Sequence, residues 1–397
     1  MRRAALAAGS GALVALVLAV VASHQAATTV HSPLRPDGAW RDVWVAGLIG
    51  AFALYAVGVG LLLRSAAPPL AVLVLAAAIQ LAPLGAPLLL STDVYSYWDY
   101  GRIAAVHGES PYDVRPSRFP GDPAYPLMGA DWQGKRTVYG PVFTAASAGV
   151  AKVTGTSARA AAWSFRVLAA LAMLAITALV AVGSRRPALA AAFVGWNPLL
   201  ALHFAGGGHN DALMAAALAT ALVAVRRGSR NVEAVAWVVA ASIKVVPLVL
   251  LPLRMLEARG RFGWRALVAA AAAVAIPATI LFGPRWLTIF SPVANQLRSV
   301  SSLGLAAQAS RIGVSTSVAR NALVALFVLA WLLLAWRAWR GRARLALTST
   351  LLLLATSWLQ PWYAIWAVPL AAVEEDQVAG AIALVLCAWF LRDALPI

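Results

Sequence analysis

An all-α polytopic membrane protein is the fold this sequence predicts, on three observations. Hydrophobic residues make up 61% of the 397 residues and charged residues 12%, about half the charged share of a soluble domain. Apolar runs close to bilayer-spanning length recur from end to end, the pattern of a bundle and not of a globular domain with one anchor. The 16 Trp residues suit side chains that settle at membrane–water interfaces.

The formal net charge of +17 comes from Arg far more than from Lys, and the Arg residues lie in short clusters between apolar runs. Such clusters hold loops in the cytoplasm. No basic stretch is long enough to form a nucleic-acid groove, so that class of partner is set aside. The single Cys, Cys387, lies in an apolar run. With no intramolecular disulfide to close them, the outer loops depend on packing and hydrogen bonds.

Inside-to-outside bookkeeping places the elements in order. Arg2-Arg3 followed by an apolar run to Ala22 reads as a retained first helix, over about 4–22, leading outward. A second, about 43–63, returns to Arg64, and a third, about 70–90, leads out again. A long outer loop follows, 91–158. Its part up to 138 carries Asp93, Asp99, Glu109, Asp113, Asp122 and Asp131, with Tyr95, Tyr97, Tyr100, Tyr112 and Tyr125. A loop of this length is functional or disordered, and its aromatic content argues against disorder. The segment 141–153 is short and carries Lys152, so it reads as an amphipathic element on the outer surface.

Further helices run at about 160–183 back to Arg185-Arg186 and at about 187–205 out to Gly206-Gly207-Gly208-His209-Asn210-Asp211, with Asn197-Pro198 as a kink. The chain then returns to Arg226-Arg227. Residues 231–256 read as two short elements meeting near Lys244, because Pro247 and Pro252 weaken a straight helix. A second outer loop covers 284–319. Arg337 to Arg344 lie inside, and Gln360-Pro361-Trp362-Tyr363 breaks a late helix at the outer face. The total is 11–13 spans in one transmembrane domain, 1–397. All five His residues land at the outer face.

Converging polar groups are costly near lipid and therefore point to function. Asp93 is either an N-cap of the following helix or a general base at the membrane edge. Asp99 and Arg102, three apart, read first as a surface pair on one helix face. Tyr95 and Tyr97 stack on a sugar or sit at the interface. Asn210 or Asp211 caps the helix that His209 precedes, or the segment binds a ligand, since three glycines permit close backbone approach and a helix N-terminus favours anions. Lys244 interrupts a clean apolar run. It either snorkels to the interface or meets a phosphate. Gln360, Trp362 and Tyr363 form a kink with interfacial anchors or a sugar platform.

Asp93-Val94-Tyr95-Ser96-Tyr97, Gly101-Arg102, Pro111-Tyr112 and Tyr139-Gly140-Pro141 together resemble the first outer loop of GT-C glycosyltransferases. Asn197-Pro198-Leu199, Gly207-Gly208-His209-Asn210-Asp211 and Gln360-Pro361-Trp362-Tyr363 resemble the bacterial polyprenol-phosphate-mannose-dependent α-1,6-mannosyltransferases. The resemblance covers about residues 85–370. It implies a GT-C-type bundle in a bacterial plasma membrane that moves mannose from polyprenyl-phosphate-mannose to a lipid-linked mannan or glycolipid on the extracytoplasmic face. Asp93 then matches the family's acidic loop residue.

The chemistry agrees with that reading. A sugar phosphate carries its own leaving group, so one base suffices where glycoside hydrolysis needs two carboxyl groups, with cations to hold the phosphate. Lys244 is the first candidate for that cation, His209 and the amides near Gly207 and Gly208 assist, and Arg102 is second. No Asp-x-Asp pair occurs, so no cofactor is expected, with a divalent metal left open. The competing class is a transporter or flippase of lipid-linked sugars. Its polar groups would gather at mid-membrane and its sequence would repeat.

Overall fold

The computed structural model describes residues 1–26, 38–289 and 299–395. His31 and the middle of the second expected outer loop lie outside the described residues. The described chain is all-α, with no β-strand among the described residues.

Two long helices open it, α1 (Arg2–Gln25) and α2 (Ala39–Leu63), followed by α3 (Pro69–Leu81). α1 and α2 pack as a close hairpin. A Cβ added at Gly47 would lie 2.8 Å from the Ala15 carbonyl oxygen, the close approach that small residues permit between membrane helices. The segment expected to form the first outer loop then contains α4 (Asp93–Ala105), the single turn α5 (Ala130–Gln133) and α6 (Pro141–Thr154). α4 and α6 cross where a Cβ on Gly101 would meet the Ser147 carbonyl at 2.2 Å, so only glycine fits there.

The centre of the molecule is α7 (Ala158–Gly183), α8 (Pro187–Gly195), the turn α9 (Pro198–Ala201), α10 (Asp211–Arg226), α11 (Arg230–Ile243) and α12 (Pro247–Ala258). α13 (Trp264–Phe282), the short α14 (Leu305–Ser310), α15 (Thr316–Trp339), α16 (Leu345–Ala355), the short α17 (Val368–Glu374) and α18 (Gln377–Leu391) complete it.

Among the described residues, six helices can cross a membrane by length and composition: α1, α2, α7, α13, α15 and α18 with its short extension. α8 and the segment Pro198–Gly206, bent by 51°, make a seventh if counted as one span. The protein is thus a polytopic membrane protein, with fewer full-length helices than the expected 11–13. The reason is local. A glycine run and an arginine pair bound α10, and the extended Lys244 with Pro247 separates α11 from α12, leaving helices of 16, 14 and 12 residues, below the roughly 20 residues a straight span needs.

The expected kink at Asn197-Pro198 is present. The Asn197 side chain accepts from the amides of Leu199 and Leu200 and so starts a new helix where α8 stops. Its amide nitrogen donates to the buried Cys387 sulfur at 3.3 Å. Arg166, buried on α7, donates to the carbonyls of Pro83, Leu84, Ala86 and Ala205. One guanidinium thereby satisfies the end of α3 and the segment leading to His209.

Candidate active site

Four separate breaks in the helical pattern meet at one end of the central helices. Asp93 opens α4. It does not act as an N-cap. Thr92 holds the cap position without a side-chain bond, and the Asp93 amide donates to Ser91 Oγ. The carboxylate is left to reach Nδ1 of His209 at 3.3 Å, close but without hydrogen-bond alignment, since both ring nitrogens of His209 lack a bonding partner.

His209 stands there because of the turn before it. Residues Leu202–Gly206 form a π-helical turn, a local widening often found at functional sites. Gly208 follows at φ +74, with Val94 Cγ1 only 2.6 Å from where a Cβ would lie. The His209 ring is buried and stacks on Trp362 with centroids 3.7 Å apart and planes 14° apart. The Gly208 amide donates to the Phe204 carbonyl, as does that of Gly207. These amides are committed to the turn, which corrects the expectation that they meet a phosphate.

Asn210 precedes α10 without capping it. Its Oδ1 accepts from Tyr97 at 3.4 Å. Asp211, the first residue of α10, is fully buried. It accepts from Lys244 Nζ at 2.7 and 2.9 Å and from Trp366 Nε1 at 2.6 Å. Lys244 lies in the expected break between α11 and α12, at an extended φ of −150. Its ammonium sits 4.8 Å from the Tyr363 ring centroid and 5.5 Å from that of Trp366. The aromatic faces and Asp211 together compensate the charge, so Lys244 is a paired group and not a snorkelling one.

Gln360 is extended and is followed by a 3-10 turn, Pro361–Trp366, which turns Trp362 and Tyr363 inward. The result is a cavity of about 140 Å³ walled by Asp93, Lys244, Gln360, Trp362, Tyr363 and Tyr139, with Trp132, Val138 and Trp358 completing it. Side chains of Asp93 and Lys244 each keep 16% exposure, enough for both to face a ligand.

Ten of the twelve residues singled out from sequence therefore come together. Six line the cavity, while His209, Asn210, Asp211 and Tyr97 back its wall. Tyr97 is buried edge-on against Tyr139 and Phe143, a supporting position and not a stacking platform. Tyr95 is half-buried and does not line the cavity. Arg102 does not pair with Asp99. Its Nε donates to both oxygens of Asp122 at 2.7 and 2.9 Å, and Nη1 donates to the Gly155 carbonyl. Asp99 is buried, not a surface residue. Burial, with Asp122 nearby, pushes its carboxyl up to about 7.

Several contributors carried no signal in the sequence. Trp132, Trp358 and Trp366 are three of 16 tryptophans, and nothing local marks them off. His203 is fully buried in the π turn, 5.7 Å from Trp362 between ring centroids, with neither ring nitrogen bonded. Among the described residues no group of three or more His, Cys, Asp or Glu could hold a metal.

The arrangement joins an accessible carboxylate, an accessible ammonium and two aromatic walls in one small cavity of a membrane protein. Against known sequences, the model of a family described as alpha-(1->6)-mannopyranosyltransferase, N-terminal domain, matches residues 6–260, more than half of the chain. The chain belongs to this α-(1→6)-mannopyranosyltransferase family. The match contains Asp93, His209, Asp211 and Lys244 and ends before Gln360 and Trp362.

Members of the family align over parts of the chain. Alpha-(1->6)-mannopyranosyltransferase A of Mycobacterium tuberculosis is 32% identical over 241 residues, covering 55% of this chain and 43% of that protein. The protein of the same description from Corynebacterium glutamicum is 29% identical over 170 residues, 41% of this chain and 34% of its own. The chain thus matches less than half the length of these relatives. No solved structure matches.

Proposed function

We propose that this protein is a mannosyltransferase that moves mannose from a polyprenyl phosphate to a hydroxyl of a lipid-linked mannan or glycolipid, forming an α-1,6 bond on the extracytoplasmic side of the bacterial plasma membrane. One observation carries the reading: Asp93 and Lys244, 151 positions apart in sequence, face the same aromatic-walled cavity. Family membership supports the sugar and the linkage. The Arg clusters at the opposite helix ends support the sidedness.

The step is a direct, inverting displacement. Asp93 takes the proton of the acceptor hydroxyl, whose oxygen attacks the anomeric carbon. The bond from that carbon to the phosphate oxygen breaks, and its electron pair leaves on the lipid phosphate. Lys244 stabilises the negative charge that grows on the leaving oxygen, which is where an interaction accelerates rather than merely binds. Arg102, already held by Asp122, is not needed for this. His209 is fully buried behind Asp93 and under Trp362, so it acts by orienting the base and the platform, not by touching the phosphate. Trp362 and Tyr363 offer faces for the apolar side of a sugar ring.

Asp93→Asn tests the reading, because it preserves shape and removes basicity. With purified protein, labelled polyprenyl-phosphate-mannose and a small mannoside acceptor, turnover should fall by about 10²-fold or more while the unfolding midpoint stays put. A folded variant that keeps more than about a tenth of wild-type turnover, against that general-base loss, removes Asp93 from the role. Wild-type protein that moves the intact lipid donor across vesicles and transfers no sugar would instead identify a flippase.

A further inference from the structure

We infer that the arginine-lined cavity at the far ends of α10, α11 and α12 is a binding site for the phosphate headgroup of an anionic phospholipid. At one end α10 begins with Asp211 and Lys244 lies between α11 and α12; at the other end α10 finishes at Arg226, α11 begins at Arg230 and α12 finishes at Ala258. α10, of 16 residues, is about 24 Å long at 1.5 Å per residue. The second cavity therefore lies at the opposite ends of these helices from the first, about 24 Å away along α10.

It encloses about 400 Å³ and is lined by Arg230, Arg254, Arg259, Arg261 and Arg340. Only two lining residues are acidic, Glu233 and Glu257. Both are spent on Arg254, at 2.6 and 2.8 Å. Among the described residues, Arg230 and Arg261 have no side-chain partner. Arg259 is held in an unusual way. It adopts the left-handed region, φ +45 and ψ +55, which costs a non-glycine residue energy. Its Nε donates to the Trp339 carbonyl, fixing the guanidinium at the joint between the two cavities described next. Arg340 lies over Trp336 at 4.7 Å.

Charge clustering alone is explained by membrane topology. A concave set of fork-shaped donors with two unpaired members is more than topology requires, and guanidinium forks match phosphate oxygens. The second observation is an adjoining groove of about 620 Å³ lined by Met255, Leu256 and Trp339, sharing Arg259 with the basic cavity. Leu256 and Trp339 are exposed, near the ends of α12 and α15. A groove for an acyl chain that ends at a cluster of guanidiniums fits a phospholipid and gives no advantage to free phosphate. Basic pockets between membrane helices take such headgroups.

The test is a binding titration of the purified full chain with phosphatidylglycerol and with phosphatidylcholine of the same acyl chains, followed by native mass spectrometry. Phosphatidylglycerol should bind about tenfold tighter, and Arg230→Gln/Arg261→Gln should remove most of that preference, given about 1 kcal/mol per basic residue near anionic lipid. Arg2→Gln/Arg3→Gln, with the same loss of charge elsewhere, should leave it unchanged. Equal losses in both double variants, or no preference in the wild type, would overturn the proposal, since bulk charge would then account for binding. Displacement of the lipid by millimolar inorganic phosphate would also overturn it, by identifying a free-anion site. Should the arginine variant not fold, hydrogen exchange of the wild type in nanodiscs decides. Adding phosphatidylglycerol should slow exchange over 256–263 and 337–342, and unchanged exchange there sinks the idea.

Discussion

Two buried ion pairs built from the same chemistry serve opposite ends in this molecule. Arg102–Asp122 is closed on every side. Asp122 also accepts from His107 at 2.7 Å and from the Ala124 amide, and Arg102 packs over Trp98. These contacts hold the Asp122 carboxyl below its ordinary range, the guanidinium being the first of the lowering causes that overcome burial. Lys244–Asp211 is closed only on the aspartate side, where Trp366 donates. The ammonium still faces a cavity. A pair with all its valences used ties a loop down. A pair with one open side holds a cation ready for a ligand.

The largest effect is expected at the closed pair. Arg102→Met leaves Asp122 buried without its main partner and should destabilise the fold by about 3–5 kcal/mol. Adding Asp122→Asn should restore most of the lost unfolding midpoint, and the restored protein should transfer sugar normally. A double variant that is stable but inactive would place Arg102 in the chemistry after all.

At the open pair the expected pattern reverses. Lys244→Met alone strands Asp211, so it confounds stability with function. Lys244→Met/Asp211→Asn removes both charges and should fold like the wild type while losing about 10²-fold in turnover, the scale of deleting one charge-stabilising donor. Wild-type donor kinetics in that folded double variant would show that the phosphate is held elsewhere.

The smallest effect concerns Asp99, beside the closed pair. Its carboxyl is raised to about 7 by burial first and by Asp122 second. A raised acid binds more protons folded than unfolded, so stability falls as pH rises from the ordinary carboxylate range to about 7, then levels. Thermal midpoints should be lower at pH 8 than at pH 5, and Asp99→Asn should flatten that part of the curve. An unchanged slope in Asp99→Asn would move the titration to another group, such as Glu374, which burial also raises to about 7.

Most of this site was readable because each element of it violates a local rule. Asp93, the Gly206–Gly208 run, Lys244 and Gln360-Pro361 are polar or helix-breaking residues in apolar surroundings, and such violations gather where function requires them. Partner choice was not readable. Asp99 and Arg102 have ideal helical spacing, yet Arg102 turned to a residue 20 positions away, because the folded loop offered a carboxylate already held by two other donors. Likewise, capping ability at Asp93 and Asn210 is a property of residue type, and tertiary partners at His209 and Tyr97 overrode it. The expected 11–13 spans exceed the full-length helices among the described residues, because apolar length along the sequence does not show which runs fold as helices shorter than a span, such as α3 and α10.

Gly140 joins the loop that carries Asp93 to the end of α11. A Cβ there would lie 2.1 Å from the Ser242 carbonyl oxygen, and the Gly140 amide donates to the carbonyl of Ile243, one residue before Lys244, at 3.0 Å. The loop that supplies Asp93 and the hinge that supplies Lys244 are therefore not independent modules. A chimera that exchanges the loop between relatives to change acceptor preference must carry the hinge with it, since any side chain larger than hydrogen at this seam would push base and cation apart. Tinkering with one half of the machinery, whether in the laboratory or over evolutionary time, drags the other half along.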